Sequence, residues 1–435
     1  MTRITDGRKQ PSSTRREFLK SSTATVLTGA LAGNLALTRG AYAGGDDVLR
    51  VGLIGCGGRG TGAAAQALSA DPNVKLVAMG DTFRDRLESS LKRLQDPSQG
   101  VAEKVAVDPD HQFVGFDAYL KVIDSVDVVL LAEPPHFRPA HLKAAVEAGK
   151  HVFAEKPVAV DAPGVRSVLA TSEEAKKKGL SLVSGLCWRY HQPMREGFQR
   201  VHDGAIGEIV TMQCTYHTSE LWKHDRQPEW SDMEWQIRNW LYFTWLSGDH
   251  INEQHIHSID KLAWAMKDES PVKASGVGGR QVRTSPAFGH VYDHFSVCYE
   301  YAGGVKAFSS CRQQDGCAND VSDHVIGTKG VFHTLPRQEI TGEDPWRTRD
   351  RRNTMYQTEH DELFASIRSG NPINNGDYMT KSTLMCIMGR MSAYTGQTIT
   401  WEQALNSQED LRPPRYDWIS MEVPPVAMPG LTQFA

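Results

Sequence analysis

The amino-acid sequence predicts an α/β fold, a doubly wound parallel sheet, followed by a second, α+β domain. Three observations predict it. A short apolar run beginning at Leu49 ends in Gly55, Gly57 and Gly60, the pattern of a buried strand turning sharply into a helix. Apolar runs of strand length then alternate with helical stretches as far as Cys187. Beyond that point residues 272–327 read as strands, and residues 359–369 and 379–394 as closing helices.

The chain of 435 residues divides into three parts: a leader (1–43), a nucleotide-binding domain (44–187) and a substrate-binding and oligomerisation domain (188–435). The leader carries Arg15 and Arg16, a mildly apolar run from Ala24 to Leu37, and Ala41-Tyr42-Ala43. That order reads as a twin-arginine export signal cleaved after Ala43, and it predicts a periplasmic protein. Gly29, Gly33 and Asn34 leave the run too short and too polar to span a membrane in the mature chain. With 48 basic and 52 acidic residues, the chain has no field to attract nucleic acid or an anionic membrane surface. Seven scattered cysteines give neither a disulfide framework nor a metal pattern, although Cys311 and Cys317 are close enough in sequence to pair.

In the first domain the glycine turn has the spacing G-x-G-x-x-G, which aims the first amides of the following helix at a pyrophosphate. Residues 74–79 form the next strand, and Asp81 stands at its end. A carboxylate about twenty residues past the glycines accepts hydrogen bonds from the adenosine ribose and repels a 2′-phosphate, so NAD is favoured. Arg84 and Arg86 keep NADP as the lesser alternative. Residues 126–131 and 151–154 are buried parallel strands separated by a helix over 139–149. Ala132-Glu133-Pro134-Pro135-His136 and Glu155-Lys156-Pro157 therefore lie at carboxyl ends of strands, where such sheets bind ligands.

Gly55-x-Gly57-x-x-Gly60, the segment Ala-Gly-Lys-His-Val-Phe-Ala-Glu-Lys-Pro at 148–157, and Glu253-x-x-x-His257-x-x-Asp260 resemble the glucose-fructose oxidoreductase and inositol dehydrogenase (Gfo/Idh/MocA) family. The resemblance covers essentially the whole mature chain. It implies a Rossmann domain, a C-terminal domain on a large, mostly antiparallel open sheet, and a homo-oligomer (dimer or tetramer) joined through that sheet. It gives Lys156 the bridge between the nicotinamide ribose and the reacting hydroxyl, and sets Pro134 near the nicotinamide. The chemistry agrees, since an ammonium in a cofactor crevice stabilises negative charge developing on a carbonyl oxygen. Glu155 then orients Lys156.

In the second domain Arg189-Tyr190 resembles the family's pair at the domain junction and is a substrate-binding candidate. The segment 222–245 is rich in aromatics, among them Trp240 beside Asn239. It suits stacking on carbohydrate rings, or equally a loop packed at an interface. On one helix Glu253, His257 and Asp260 would share a face. His257 is the candidate acid/base and Glu253 its orienter or a hydroxyl ligand. His250, His255 and His257 share no i, i+4 face, so no metal is expected, and His255 reads as a structural histidine. Tyr356 and His360 are further candidates to reach substrate. The proline-rich tail after Pro413 reads as an arm directed to a neighbouring subunit.

These features predict an NAD(P)-dependent oxidoreductase acting on a secondary hydroxyl or ketone of a sugar or cyclitol. Export of a folded protein further predicts tightly held cofactor. Two alternatives stay open: a redox-neutral NAD-dependent glycosidase or lyase working by transient oxidation, and a non-catalytic sugar-binding protein.

Overall fold

The structure, a computed structural model, describes residues 47–435 apart from Arg351 and Asn353; the twin-arginine segment lies outside the described residues. Residues 48–435 form one compact unit with two sheets.

The first sheet contains β1 (Leu49–Ile54), β2 (Val74–Asp81), β3 (Gln112–Val114), β4 (Val128–Leu131), β5 (His151–Ala154) and β6 (Leu182–Ser184). Their order is β3-β2-β1-β4-β5-β6, and every pairing is parallel. The order reverses at β1, which opens a crevice beyond the strand ends there. The crossovers are helices: α1 (Gly58–Ala70), α2 (Arg84–Leu94), α3 (Ala118–Ser125), α4 (Arg138–Glu147) and α5 (Ala162–Lys177). β4 is buried at every residue, as a strand covered on both faces must be.

The second sheet has nine strands: β7 (Ile209–Thr218), β8 (Lys273–Gly279), β9 (His294–Glu300), β10 (Lys306–Gln313), β11 (Asp320–Gly327), β12 (Gly330–His333), β13 (Glu339–Gly342), β14 (Trp346–Arg347) and β15 (Ile399–Thr400). Only β7 and β10 pair in parallel; the other pairings are antiparallel. One face packs on α6 (Gln192–His202), α7 (Ile256–Ala265) and the long helix α9 (Gly376–Thr395), whose inner residues are buried. The opposite face is open, with Val277 and Phe308 exposed.

Helix α8 (Met355–Ser369) departs from the sequence-based division. It packs against α1, and Leu363, Phe364 and Ile367 join the core of the first sheet. Asn375 continues the attachment, its amide donating to the Leu182 carbonyl (2.9 Å). The arm after Pro413 likewise differs from expectation, because it folds over its own chain. Trp418 stacks on Phe83 (ring centres 5.6 Å apart), Tyr416 meets His136, and the Met421 amide donates to Asp232 Oδ2 (2.9 Å). Leu411, Ile419 and Met421 pack against a ready apolar surface, the cluster of Phe83, Trp235, Phe243 and Trp245. All seven cysteines are free: Cys311 is buried and Cys317 exposed, and the two do not pair.

One charge pair fastens α7 to the open sheet: Lys261 Nζ lies 2.6 Å from Asp323 Oδ2, each side chain 1% exposed. A buried ion pair tolerates removal of both charges better than of one. Lys261→Met is expected to lower unfolding stability by about 3–5 kcal/mol, and Lys261→Met with Asp323→Leu to recover most of it, as read by urea denaturation.

Candidate active site

Between β1 and β4 the strand ends open into a cleft of ≈ 360 Å³ lined by the glycine turn, Asp81, Glu133 and Pro134. Gly55 has φ +91° and a Cβ there would stand 2.4 Å from the Glu133 amide nitrogen; at Gly60 it would stand 1.9 Å from the Gly55 carbonyl. Both positions need glycine for close approach. At Gly57 and Gly58 a Cβ would meet nothing within 4 Å, so open space lies before the amides that begin α1. A diphosphate fits that space and charge pattern. Asp81 accepts from the Cys56 amide (2.7 Å) and the Phe83 amide (2.8 Å). Burial raises its pKa above the usual carboxylate value, and those two amides work against the rise. Its carboxylate faces the cleft with acceptor capacity left for ribose hydroxyls.

The second domain supplies the opposite wall. Trp222 and Trp240 line the cleft with Arg238, whose guanidinium sits 3.9 Å from the centre of the Phe83 ring. Trp240 therefore stands on the nucleotide side. Trp235, Tyr242, Phe243 and Trp245 are buried, so the aromatic segment divides between cleft wall and domain core. Asn239 is fully buried, accepting from the His224 amide (2.9 Å) and donating to the Ala287 carbonyl (2.6 Å). Its amide shapes the loop rather than facing a ligand.

At the end of β5, Glu155 is buried and held by its neighbours. Its Oε1 accepts from Arg59 Nε in the glycine turn, and its Oε2 from the Lys156 amide (3.1 Å). Arg59 Nη2 donates to Glu359 Oε1 on α8 (2.8 Å). Burial opposes the charge on Arg59, but Glu155 and Glu359 outweigh it and raise its pKa. Glu359, fully buried, is pushed well above the usual carboxylate range by burial and then by Glu155. Nothing local in the sequence pairs Glu359 with a glycine turn 300 residues away. Arg59 itself lies inside the motif and was open to reading.

Lys156 Nζ donates to the Glu253 backbone carbonyl (2.7 Å) and lies 3.4 Å from its Oε1. His257 is close enough for the Lys156 charge to act on it. Burial first, then Lys156, Lys261 and Arg59, hold its pKa well below the ordinary imidazole value, so it is neutral. Its Nδ1 has no hydrogen-bond partner among the described residues. The structure thus brings Lys156 against Glu253, with His257 within reach of the Lys156 charge.

The expected single helical face does not exist. Glu253 ends a turn of helix over His250–Glu253, and α7 starts afresh at Ile256, with Gln254 and His255 between them. His255, within the break, is fully buried with Nε2 2.7 Å from Ser309 Oγ on β10. Asp260 points elsewhere, to Arg189 (Oδ1 to Nη2, 2.8 Å), and Arg189 also holds Asp268 (2.6 Å). Tyr190 donates to Asn375 Oδ1 (2.6 Å). Arg189 and Tyr190, both buried, therefore spend their polar groups on domain packing, a correction to their reading as substrate ligands. His360 is fully buried against Phe153 (ring centres 4.3 Å apart), which removes it as a substrate contact, whereas Tyr356 lies under Arg59 (4.9 Å). Among the described residues no three His, Cys, Asp or Glu side chains converge as a metal-ligand set.

His136, behind the cleft, has Nε2 2.8 Å from the Tyr416 hydroxyl, and burial, with His141 adding to it, lowers its pKa to about 3. The unfolded chain takes up this proton near pH 6.5 and the folded chain does not. Stability from this group is thus complete above that value and falls with pH toward about 3. His136→Asn is expected to flatten the decline between pH 7 and 5 by up to about 1.4 kcal/mol per pH unit, measured by denaturant unfolding at each pH.

Comparison with known proteins agrees with the fold. Residues 49–183 match the model for the "Oxidoreductase family, NAD-binding Rossmann fold", and residues 194–333 the "GFO/IDH/MocA C-terminal domain". Inositol 2-dehydrogenase 3 of Saccharopolyspora erythraea is 29% identical over 301 residues, covering 68% of this chain and 75% of that protein. Inositol 2-dehydrogenase of Rhizobium meliloti is 24% identical over 322 residues, covering 73% and 86%. The solved aldose-aldose oxidoreductase of Caulobacter crescentus shares the fold, with TM-score 0.62, 20% identity and coverage of 81% of this chain and 99% of that one. With both of its sheets matched by the family's models, this chain belongs to the Gfo/Idh/MocA family of NAD-binding oxidoreductases.

Proposed function

We propose that the protein oxidises a secondary hydroxyl of a sugar or cyclitol, or reduces the matching ketone, with Lys156, His257 and Glu253 as its reacting-end residues. The observation that carries this reading is Lys156 Nζ beside Glu253 and a neutral His257, at the strand end next to the nucleotide cleft. The cofactor, when bound, accepts the hydride at nicotinamide C4. Lys156 donates a hydrogen bond to the reacting oxygen and stabilises negative charge there. His257, neutral in this setting, is the residue that receives the hydroxyl proton. Glu253 holds Lys156 in place and accepts from a neighbouring hydroxyl of the substrate. The inositol 2-dehydrogenases among the relatives support a polyhydroxylated ring as substrate.

Gly55, Gly57, Gly60, Asp81 and Pro134 form the cofactor seat in this reading, with NAD preferred. Arg15 and Arg16 support export through the twin-arginine route to the periplasm, with NAD carried inside the folded protein. With NAD retained in this way, a second carbonyl substrate would be needed within each cycle to restore its oxidised form. Val277 (69% exposed) and Phe308 (51%), on the uncovered sheet face, support a homo-oligomer built through that face.

The test is turnover of sugars and cyclitols by protein purified without added NAD, with NADH absorbance and products recorded. Lys156→Ala is expected to lower kcat by about 10²–10³-fold. Undiminished turnover would place the chemistry elsewhere, and glycoside cleavage with no net substrate oxidation would replace the reading with a redox-neutral one.

A further inference from the structure

Glu133 follows β4 by two residues and lines the nucleotide cleft while only 6% exposed. Among the described residues, neither of its carboxylate oxygens has a hydrogen-bond partner. The cations nearby do not satisfy it. Arg138 spends Nη1 on the Pro157 carbonyl and Nη2 on the backbone carbonyl of Glu133 itself. His141 Nδ1 comes within 3.2 Å of Oε1, but without the alignment of a hydrogen bond. A buried acceptor left unmade is costly, more so on a carboxylate, and the wall of a cleft is where a ligand can supply the missing donors.

The sheet order says which part of the ligand reaches it. Asp81, on β2, lies to one side of β1 and takes the adenosine ribose; β4 lies on the other side, followed by β5 with Lys156. A dinucleotide laid across the glycine turn therefore brings its nicotinamide riboside to the side of Glu133. That half carries two ribose hydroxyls and a carboxamide NH₂, all donors, matched to an acceptor-only group.

We infer that Glu133 is a cofactor-binding residue whose carboxylate accepts hydrogen bonds from the nicotinamide riboside half of NAD, with His141 beside it on the cleft wall. This rests on the reading of the cleft as an NAD site. Tyr119 stacks on the His141 ring with centres 3.9 Å apart, which fixes that ring.

The test is binding of two probes, NAD⁺ and ADP, to dialysed full-length protein by calorimetry, with retained NAD per chain measured first. Glu133→Gln keeps the volume and Glu133→Ala removes the group. Both variants are expected to weaken NAD⁺ roughly ten- to hundredfold, and to release retained NAD sooner, while ADP binding stays within about twofold of wild type. NAD⁺ affinity unchanged in both variants overturns the inference, and so does an equal loss for NAD⁺ and ADP, which marks a distorted cleft. Failure of the wild-type protein to bind either probe would instead sink the NAD reading itself.

Discussion

Arg59 is the constraint on which the site depends. It stands inside the glycine turn, yet its guanidinium is drawn between Glu155 at the end of β5 and Glu359 on α8. One cation thereby joins three separate stretches of chain: the loop shaped for a diphosphate, the strand end that carries Lys156, and a helix from the far end of the sequence. Because Glu155 also accepts from the Lys156 amide, the position of Lys156 is tied to the glycine turn. Burial, and after it the second carboxylate around the same arginine, raises the pKa of Glu359. Such groups are costly for stability, and their retention fits a role in holding geometry.

The second domain completes what the parallel sheet begins. The open sheet holds His255 through Ser309 at the break between two helices, and just before the break the Glu253 carbonyl accepts from Lys156. Trp222, Trp240 and Arg238 close the nucleotide side, and the C-terminal arm braces Phe83, Phe116 and His136 from outside.

Local patterns made the parallel sheet legible in the sequence: apolar runs, the glycine spacing, and Asp81 at a strand end. Lys156 and His257 were legible because their motifs are short and contiguous. What was not legible came from long-range pairing. Arg189 and Tyr190 looked available, but Asp260, Asp268 and Asn375 consume them. The shared face of Glu253, His257 and Asp260 assumed an unbroken helix, whereas the chain breaks at Gln254 and His255, the latter held by Ser309. The arm read as reaching outward because proline spacing says nothing about where Tyr416 and Trp418 find aromatic partners. Glu133 was visible as a residue at a strand end, but only burial without a partner gives it a task.

The most direct measurement is a crystal structure of the complex with NAD and a cyclitol. The account predicts Lys156 Nζ within hydrogen-bond distance of the reacting oxygen, about 2.7–3.2 Å, with Arg59 still held between Glu155 and Glu359. A nicotinamide ring lying away from Lys156, or Arg59 swung off Glu155 onto the diphosphate, would contradict it.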